Sequence, residues 1–562
     1  MYPFDVISAW SHRQPAVALG LALLIVKIIR SISRMYTLGD LPGPRPQSWL
    51  FGHEMEIQTS PAGKLHNQWA ETYGPTYKLK GPLGTSYLIT GDPKAASHVL
   101  HSDNYVRPGD DTISLEQFFG KGLFSAEGKR LWPSGMQMAR DSSCVRAIVN
   151  PAFTPATVRE VSHVIFDLAR NLTGSFVDEL EREENKSGKI FELTSRIPRL
   201  TLDAISMTTF AYDVGNSDQS IPNLIAKISD VPETTGTLIA MSLITLFPSL
   251  LYLPNPMKQW TTMLRTELGK IADIVWTQNV EERGLGMHSK LLDSMNDSYK
   301  RTGEPLDREQ AIATIIGVIF AGYETTANVI IETLYELSRS PNMQTQLRNE
   351  IEAFCERTGR EPTCDDLVNA TQLPFLDAVV RESLRTKAVL TTIAREAVKE
   401  DVLALQFPIP GTSRTQIAVK PGQIVLVPVR DGINVDARIW GPDAAIFRPE
   451  RWLEPGGLPE TVKDIHAPGH FLTFGDGAKT CLGRHFAVAE IKVNLSNSIH
   501  FALHLTDTQI VLTALIRDLI FEPDDQQYMF YRTGGNTIKP KIIGREHEGP
   551  QLYLHIRKVH DY

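Results

Sequence analysis

A single cysteine near the C-terminal end of the chain has neighbours that suit a metal ligand. Cys481 lies in a loop that begins at Phe474 and contains Gly477, and Gly483 follows two residues later. Glycine permits tight turns and lets the backbone approach a flat ligand closely. A helix is predicted at 484–493, and its dipole favours the thiolate form of the cysteine, which could bind iron behind the shield of Phe474. The alternative is a small buried hydrophobe, the commonest role of a lone cysteine.

An acid and an alcohol lie side by side in the middle of a long apolar segment. The segment predicts a helix at 307–339 that crosses the centre of a domain. Glu324 next to Thr325 has the composition of a proton relay. A glycine inside a helix costs about 1 kcal/mol relative to alanine, so Ala321 and Gly322 predict a groove for a ligand. The alternative is a threonine that bonds back to its own helix.

Two further segments combine acidic and basic side chains. Glu382 and Arg385 are three residues apart, which places them on one face of a predicted helix. Arg451 belongs to a Phe-Arg-Pro-Glu-Arg-Trp segment farther along the chain. Taken alone, such a pair is most often a surface salt bridge.

These segments, in this order, resemble the signature segments of the cytochrome P450 superfamily, and of its fungal microsomal members in particular. The loop around Cys481 has the Phe-x-x-Gly-x-x-x-Cys-x-Gly pattern of the heme-binding signature. The resemblance implies that Cys481 is the axial ligand of the iron in heme b. It also implies heme propionate contacts for Lys479, which stands where the family usually has arginine, and for Arg395 and Arg146. The cofactor-binding residues implied in this way are Cys481, Phe474, Gly477, Lys479, Gly483, Arg146, Arg395, Ala321 and Gly322.

The same resemblance assigns roles to the other two constellations. The segment at 321–326 is similar to the family's oxygen-activation motif, which implies that Thr325 hydrogen-bonds dioxygen at the heme and that Glu324 helps to deliver protons. Glu382, Arg385 and Arg451 are similar to a buried triad that locks the layer holding the cysteine loop. Removing one member of such a triad would leave a buried charge without its partner.

Two stretches depart from the family pattern. The family usually has Trp or His four residues before the arginine that Arg146 matches, but this chain has Ser142 there, and residues 131–145 form a longer connection than expected. Residues 494–511 interrupt what would otherwise be one amphipathic helix. Our hypothesis is that both stretches are retained introns of a gene model, with unusual loops as the alternative.

Composition indicates one large domain. The 562 residues carry a net charge of −8 and 42% hydrophobic residues, an ordinary balance for a folded protein. The mild acidity gives no basic footprint for nucleic acid, and four scattered cysteines are too few for a disulfide framework. We therefore predict one catalytic domain at 51–562, mainly α with a small β-rich subdomain, in the cytochrome P450 fold that the resemblance implies.

The N-terminus predicts a membrane anchor at 1–35. Residues 16–26 are an unbroken small and apolar run, and Lys27 and Arg30 follow it, which leaves the rest of the chain in the cytosol. A signal-peptide core is the alternative. Three prolines then make 36–50 a stiff hinge. The resemblance places the protein in the endoplasmic reticulum membrane.

The activity implied by the resemblance is that of a heme-thiolate monooxygenase. It would hydroxylate or epoxidise a small lipophilic substrate, such as a terpenoid of secondary metabolism, with dioxygen as co-substrate. NADPH would supply electrons through a separate NADPH–cytochrome reductase, because the chain lacks a flavin or nicotinamide fingerprint. Phe118, Phe119 and the stretches 237–253 and 387–393 would surround the substrate, with ordinary core as the alternative. The alternative functions are a heme-thiolate isomerase or dehydratase and an inactive heme-binding relic.

Overall fold

Helices form most of the protein in a computed structural model. The residues described are 38–126, 142–182, 187–214, 256–281, 289–297, 306–367, 369–487, 506–533 and 537–559, with four single positions between 236 and 250. Within this part of the chain the helices are α1 (Glu54–Thr59), α2 (Lys64–Tyr73), α3 (Pro93–His101), α4 (Gly109–Phe119), α5 (Ser142–Val149), α6 (Pro155–Glu181), α7 (Leu193–Phe210), α8 (Pro256–Glu281), α9 (Lys290–Asn296), α10 (Arg308–Ser338), α11 (Pro341–Thr358), α12 (Cys364–Leu367), α13 (Pro374–Thr386), α14 (Ala437–Trp440), α15 (Arg484–Ala487) and α16 (Thr506–Asp518).

Short strands form four small sheets. The strands are β1 (Thr76–Lys80), β2 (Ser86–Thr90), β3 (Tyr105–Val106), β4 (Lys189–Glu192), β5 (Thr392–Ala397), β6 (Asp401–Ala404), β7 (Gln416–Val419), β8 (Ile424–Pro428), β9 (Leu519–Pro523), β10 (Tyr528–Arg532), β11 (Ile538–Ile542) and β12 (Tyr553–Lys558). The largest sheet has the order β1-β2-β8-β5-β3, in which β2 and β8 alone run parallel. The other sheets are β4-β12-β9, β10-β11 and β6-β7. The predicted mainly helical architecture with a small β part is confirmed.

The long helix predicted at the centre of the domain is α10. Its Asp307 cap accepts a hydrogen bond from the backbone N–H of Gln310 at 2.7 Å, and it ends before Pro341, which begins α11. Within the described residues, α10 is the one helix long and apolar enough to cross a membrane, but 72% of its most apolar window is buried inside the protein. It packs most extensively on α7. The apolarity of α10 is therefore that of a core helix.

The segment between the predicted anchor and the domain packs on the first strand. The backbone N–H of Lys78 in β1 donates to the carbonyl of Pro42 at 2.9 Å, and its Nζ donates to the carbonyl of Gly39 at 2.6 Å. Leu38 and Leu41 are buried in the core. Residues 38–42 of the predicted hinge thus pack on the folded domain, whereas the predicted anchor at 1–35 lies outside the described residues.

The two unusual stretches lie partly outside the described residues. Residues 142–145 form the first turn of α5, and residues 506–511 form the first half of α16. Ile510 and Val511 are buried in the core. The ends of both stretches thus belong to packed helices, and the retained-intron hypothesis stays a prediction.

Candidate active site

The loop that carries Cys481 is held in shape by its own backbone. The N–H of Cys481 donates to the carbonyl of Phe474 at 2.8 Å, and a 3-10 turn at Gly477–Lys479 lies between them. Gly477 has a φ of +68°, and a Cβ there would collide with the carbonyl oxygen of Leu100 in α3. The structure thus shows a close approach of Gly477 to another part of the protein, and its predicted approach to a flat ligand stays a prediction.

The sulfur of Cys481 is desolvated and yet accessible. Its side chain is exposed, while the surrounding protein atoms raise the pKa of the thiol by desolvation. The backbone N–H groups of Gly483 and Arg484 and the guanidinium groups of Arg146 and Arg484 act in the opposite direction and lower that pKa. Exposure and desolvation occur together when a group faces an internal cleft. The predicted helix begins at Arg484, but burial has the larger effect on the pKa of the thiol.

The surroundings of Cys481 fit a flat iron-containing ligand. Among the described residues, a Cβ at Gly483 would meet no atom closer than the Cys481 sulfur at 3.9 Å, so these residues leave space beside the sulfur. A buried thiol becomes a stable thiolate when a metal ion binds it. Phe474 is half-buried and packs against the core next to this loop. These features agree with a heme whose iron is bound by Cys481.

Three cationic side chains from separate elements are candidates to bind the negatively charged propionates of a heme. Arg146 in α5 donates to the carbonyl of Thr480, next to Cys481. Lys479 donates through Nζ to the carbonyl of Ala126 at 2.9 Å, and Arg395 in β5 donates to the carbonyl of Ala394 at 2.8 Å. The propionate contacts implied for them stay predictions. The residue four before Arg146, Ser142, begins the same helix, so α5 offers neither Trp nor His at that position.

The middle of α10 is accessible although the helix is buried on both sides of it. The partly accessible residues here are Phe320, Ala321, Gly322, Thr325 and Thr326. Thr325 Oγ1 donates to the carbonyl of Ala321 at 2.7 Å, which is the back-bonding alternative considered for the sequence. A Cβ at Gly322 would lie 2.6 Å from Cγ1 of Ile205 in α7. Packing against α7 thus accounts for this glycine without a ligand groove.

The segment 120–126 contacts both α10 and the cysteine loop. A Cβ on Gly317 of α10 would collide with the ring of Phe124, and one on Gly122 would lie 2.9 Å from the Cβ of Ala313. The carbonyl of Ala126 accepts the hydrogen bond from Lys479. The accessible part of α10 and the Cys481 loop therefore border the same segment.

Glu324 is bound by two residues from the C-terminal part of the chain, Thr537 and Lys539, for which no contact was predicted. The carboxylate is 2% exposed, and its Oε1 accepts a hydrogen bond from Thr537 Oγ1 at 3.1 Å. Lys539 Nζ in β11 lies 3.2 Å from the same oxygen. Oε2 has no hydrogen-bond partner within the described part of the chain. No local signal links these residues, because Thr537 is 213 positions away in the sequence.

The structure brings Glu382, Arg385 and Arg451 together with fully buried side chains. Arg385 donates to both carboxylate oxygens of Glu382, at 2.9 and 2.7 Å, and Arg451 donates to Oε1 at 2.9 Å. Trp452 adds an indole N–H at 3.0 Å. Burial alone would raise the pKa of Glu382, but the two arginines outweigh it and lower that pKa. The exposed salt bridge considered for the sequence does not describe this arrangement.

The residues expected around the substrate are divided between cleft and core. The rings of Phe119 and Phe320 are 5.4 Å apart, so α4 contacts the accessible part of α10. Ala388 and Val389 are buried core residues, and Lys387 forms an ion pair with Glu336. The first part of the expected 387–393 stretch is therefore structural, which corrects the prediction for it. The expected lid at 237–253 lies almost entirely outside the described residues.

Comparison with known proteins identifies this arrangement. The family profile named Cytochrome P450 matches residues 42–528. The chain belongs to the cytochrome P450 family. It is 31% identical over 551 residues to cytochrome P450 monooxygenase claU of Ampulloclitocybe clavipes, with 95% of each chain covered. It is also 28% identical over 576 residues to cytochrome P450 monooxygenase 205 of Postia placenta, covering 97% of this chain and 98% of the relative.

A solved structure supports the fold of this P450. A crystal structure of a cytochrome P450, CYP102L1, aligns with a TM-score of 0.66 at 21% identity, covering 92% of this chain and 99% of that one. The predicted family is thus confirmed, and the enzyme is a cytochrome P450 monooxygenase. Membership implies a heme and a redox partner.

Proposed function

We propose that this P450 hydroxylates or epoxidises a small lipophilic substrate with dioxygen and electrons from NADPH. The observation that carries the proposal is an accessible, desolvated Cys481 whose loop shares the segment 120–126 with the accessible part of α10. A thiolate-bound heme supplies the activation of dioxygen that such oxidations require. A substrate of terpenoid type in secondary metabolism is the class we favour.

The residues of this chain would divide the work. Cys481 would hold the iron, and Arg146, Arg395 and Lys479 would hold the heme propionates. The aromatic rings near Phe320 give the cleft an apolar wall that suits a lipophilic molecule and excludes water. Thr325, whose hydroxyl is bound to the helix carbonyl at 2.7 Å, could turn its oxygen toward a ligand by releasing that bond. Glu324 would supply protons to the same region.

We place the enzyme in the endoplasmic reticulum membrane with its catalytic domain in the cytosol. The support is the apolar run at 16–26 and the positive charges that follow it. The chain has no flavin or nicotinamide fingerprint, so an NADPH–cytochrome reductase would be the electron donor. A chain lacking residues 1–35 should leave the membrane fraction while keeping its heme spectrum. Retention in the membrane fraction would contradict the anchor.

The first test is the reduced carbon-monoxide difference spectrum of the full chain beside a Cys481→Ser variant. We expect a strongly red-shifted Soret band that the serine variant loses, because only a thiolate ligand gives that shift. Turnover is then measured by incorporation of labelled dioxygen into lipophilic candidates in the presence of reductase. Product formed without NADPH or dioxygen would indicate the isomerase or dehydratase alternative. A folded chain that takes up no heme would indicate a relic.

A further inference from the structure

Two buried polar atoms on one face of α10 have no hydrogen-bond partner among the described residues. One is Oε2 of Glu324, and the other is Nδ2 of Asn328, a side chain that is 4% exposed. Residues four apart on a helix lie on the same face with Cβ atoms about 6 Å apart. An acceptor and a donor at that separation are suited to a single bridging water, and buried polar groups rarely stay without any partner.

The other oxygen of Glu324 is held from the opposite side. Thr537 Oγ1 donates to Oε1 at 3.1 Å and in turn lies 3.0 Å from the hydroxyl of Thr533. Lys539 Nζ lies 3.2 Å from Oε1, and it is the one charged group that the described residues place against this carboxylate. The next acid on α10, Glu332, is bound to Arg430 instead.

We propose that Asn328, Lys539 and Thr537 are positioning residues for Glu324, with a water held between Glu324 Oε2 and Asn328 Nδ2. Lys539 and Thr537 fix one oxygen of the carboxylate, which leaves Oε2 to exchange protons with the water. When Oε2 has passed a proton to the cleft beside Thr325, the water gives a proton to Oε2, and solvent restores the proton that the water has lost. The inference rests on the proposed function, because it assigns proton supply to that site.

The direct test is infrared spectroscopy of the heme-loaded full chain. The carboxyl band of Glu324 is assigned by its loss in Glu324→Gln. We expect this band to shift in Lys539→Met and in Asn328→Leu, because its frequency depends on the hydrogen bonds of the group. Lys541→Met is the matched control, since Lys541 lies in the same strand but its Nζ is 5.6 Å from the Tyr531 ring centroid. An unchanged band in both test variants would overturn the proposal.

Turnover separates this inference from the proposed function. With NADPH and reductase, we expect Lys539→Met and Asn328→Leu to oxidise NADPH about tenfold more slowly, a smaller effect than the roughly 10²- to 10⁴-fold loss that follows removal of an acid–base group itself. Their carbon-monoxide spectra should match that of the parent chain, because the substitutions lie in β11 and α10 and not in the loop that carries Cys481. A normal spectrum with parental NADPH oxidation in both variants would refute the relay and leave the monooxygenase assignment intact. A missing spectrum in the parent chain would refute that assignment instead.

Discussion

Two buried glutamates, one on each side of the site, are held in opposite ways. Glu382 accepts hydrogen bonds on both oxygens, from two arginines, an indole and the backbone N–H of Arg448. Glu324 accepts on one oxygen only, and the other has no partner in the described chain. Both are almost completely buried. The two acids are therefore almost equally buried, but the described residues satisfy both oxygens of one and leave one oxygen of the other open, as our proposal of proton supply by Glu324 requires.

The difference follows from what each glutamate positions. Glu382 connects α13 to the segment that contains Arg451. Arg385 also donates to the carbonyl of Asn434 at 2.7 Å. The side chain of Asn434 donates in turn to Thr473 Oγ1 at 3.0 Å, directly before Phe474. A frame of this kind must not move, because the sulfur of Cys481 depends on it. A proton donor needs a partner that it can release. The two glutamates thus differ in how many carboxylate oxygens have hydrogen-bond partners, although they are almost equally buried.

The largest expected effect is at the fixed glutamate. Glu382→Gln leaves Arg385 buried without the carboxylate that pairs with it and leaves Arg451 with Asp443 alone, 3.3 Å away, so the free energy of unfolding should fall by about 3–5 kcal/mol. Denaturant unfolding measures this, and heme content should fall with it. Glu361→Gln is the control, because its ion pair with Arg517 is partly exposed and should contribute less than about 1 kcal/mol. Equal losses of unfolding free energy in the two variants would show that the buried triad stabilises the fold no more than a partly exposed ion pair does.

A third buried acid gives a prediction for pH. Desolvation raises the pKa of Asp431 to about 6, although Arg430 and Arg532 oppose the shift. The folded protein therefore holds this proton to a higher pH than the unfolded chain does. The proton stabilises the folded state at pH values below the pKa of the unfolded chain, and this stabilisation is lost as pH rises through about 6. Asp431→Asn should remove this loss, so its advantage over the parent in unfolding free energy should grow by about 2 kcal/mol between pH 4 and 6.

The measurement for Asp431 is denaturant unfolding at several pH values in that window. Asp525→Asn is the control, since Asp525 is exposed and should follow the parent at every pH. A constant difference between Asp431→Asn and the parent across the window would mean that this acid titrates normally in the folded protein. The opposing charges of Arg430 and Arg532 would then fully offset the desolvation of Asp431.

The smallest effect on stability is expected at the releasable glutamate. Glu324→Gln keeps the shape and can keep the bond from Thr537, but it removes the counter-charge of Lys539, whose side chain is 13% exposed. The free energy of unfolding should therefore fall by about 1–2 kcal/mol, less than at Glu382. NADPH oxidation with reductase should nevertheless fall at least about tenfold, because the amide cannot supply a proton. Stopped-flow rates and urea titrations of the same preparation give both numbers. A large loss of stability with normal NADPH oxidation would assign Glu324 to the frame.

Sequence reasoning succeeded where the chemistry is local. The pattern around Cys481 lies within one short segment, and so do Glu382 and Arg385, whose burial was predicted from the resemblance and not from their spacing. The central helix was predicted closely, because its cap and its final proline are sequence signals. The contact between Gly322 and Ile205 was not predicted, because Ile205 lies on another helix. Partners that come from distant strands leave no mark in the sequence beside the residue they bind.

The same distance in sequence has a consequence for folding order. Thr537 lies 213 residues after Glu324, and β12 near the C-terminus pairs with β4 at Lys189–Glu192. At synthesis rates of roughly 5–20 residues per second, Glu324 emerges roughly 10–40 s before the hydroxyl that binds it. Neither α10 nor the β4-β12-β9 sheet can reach its final state on the ribosome until the last strand has been made. The contacts that hold Glu324 and the β4-β12-β9 sheet therefore form late, after residues 519–558 have been synthesised.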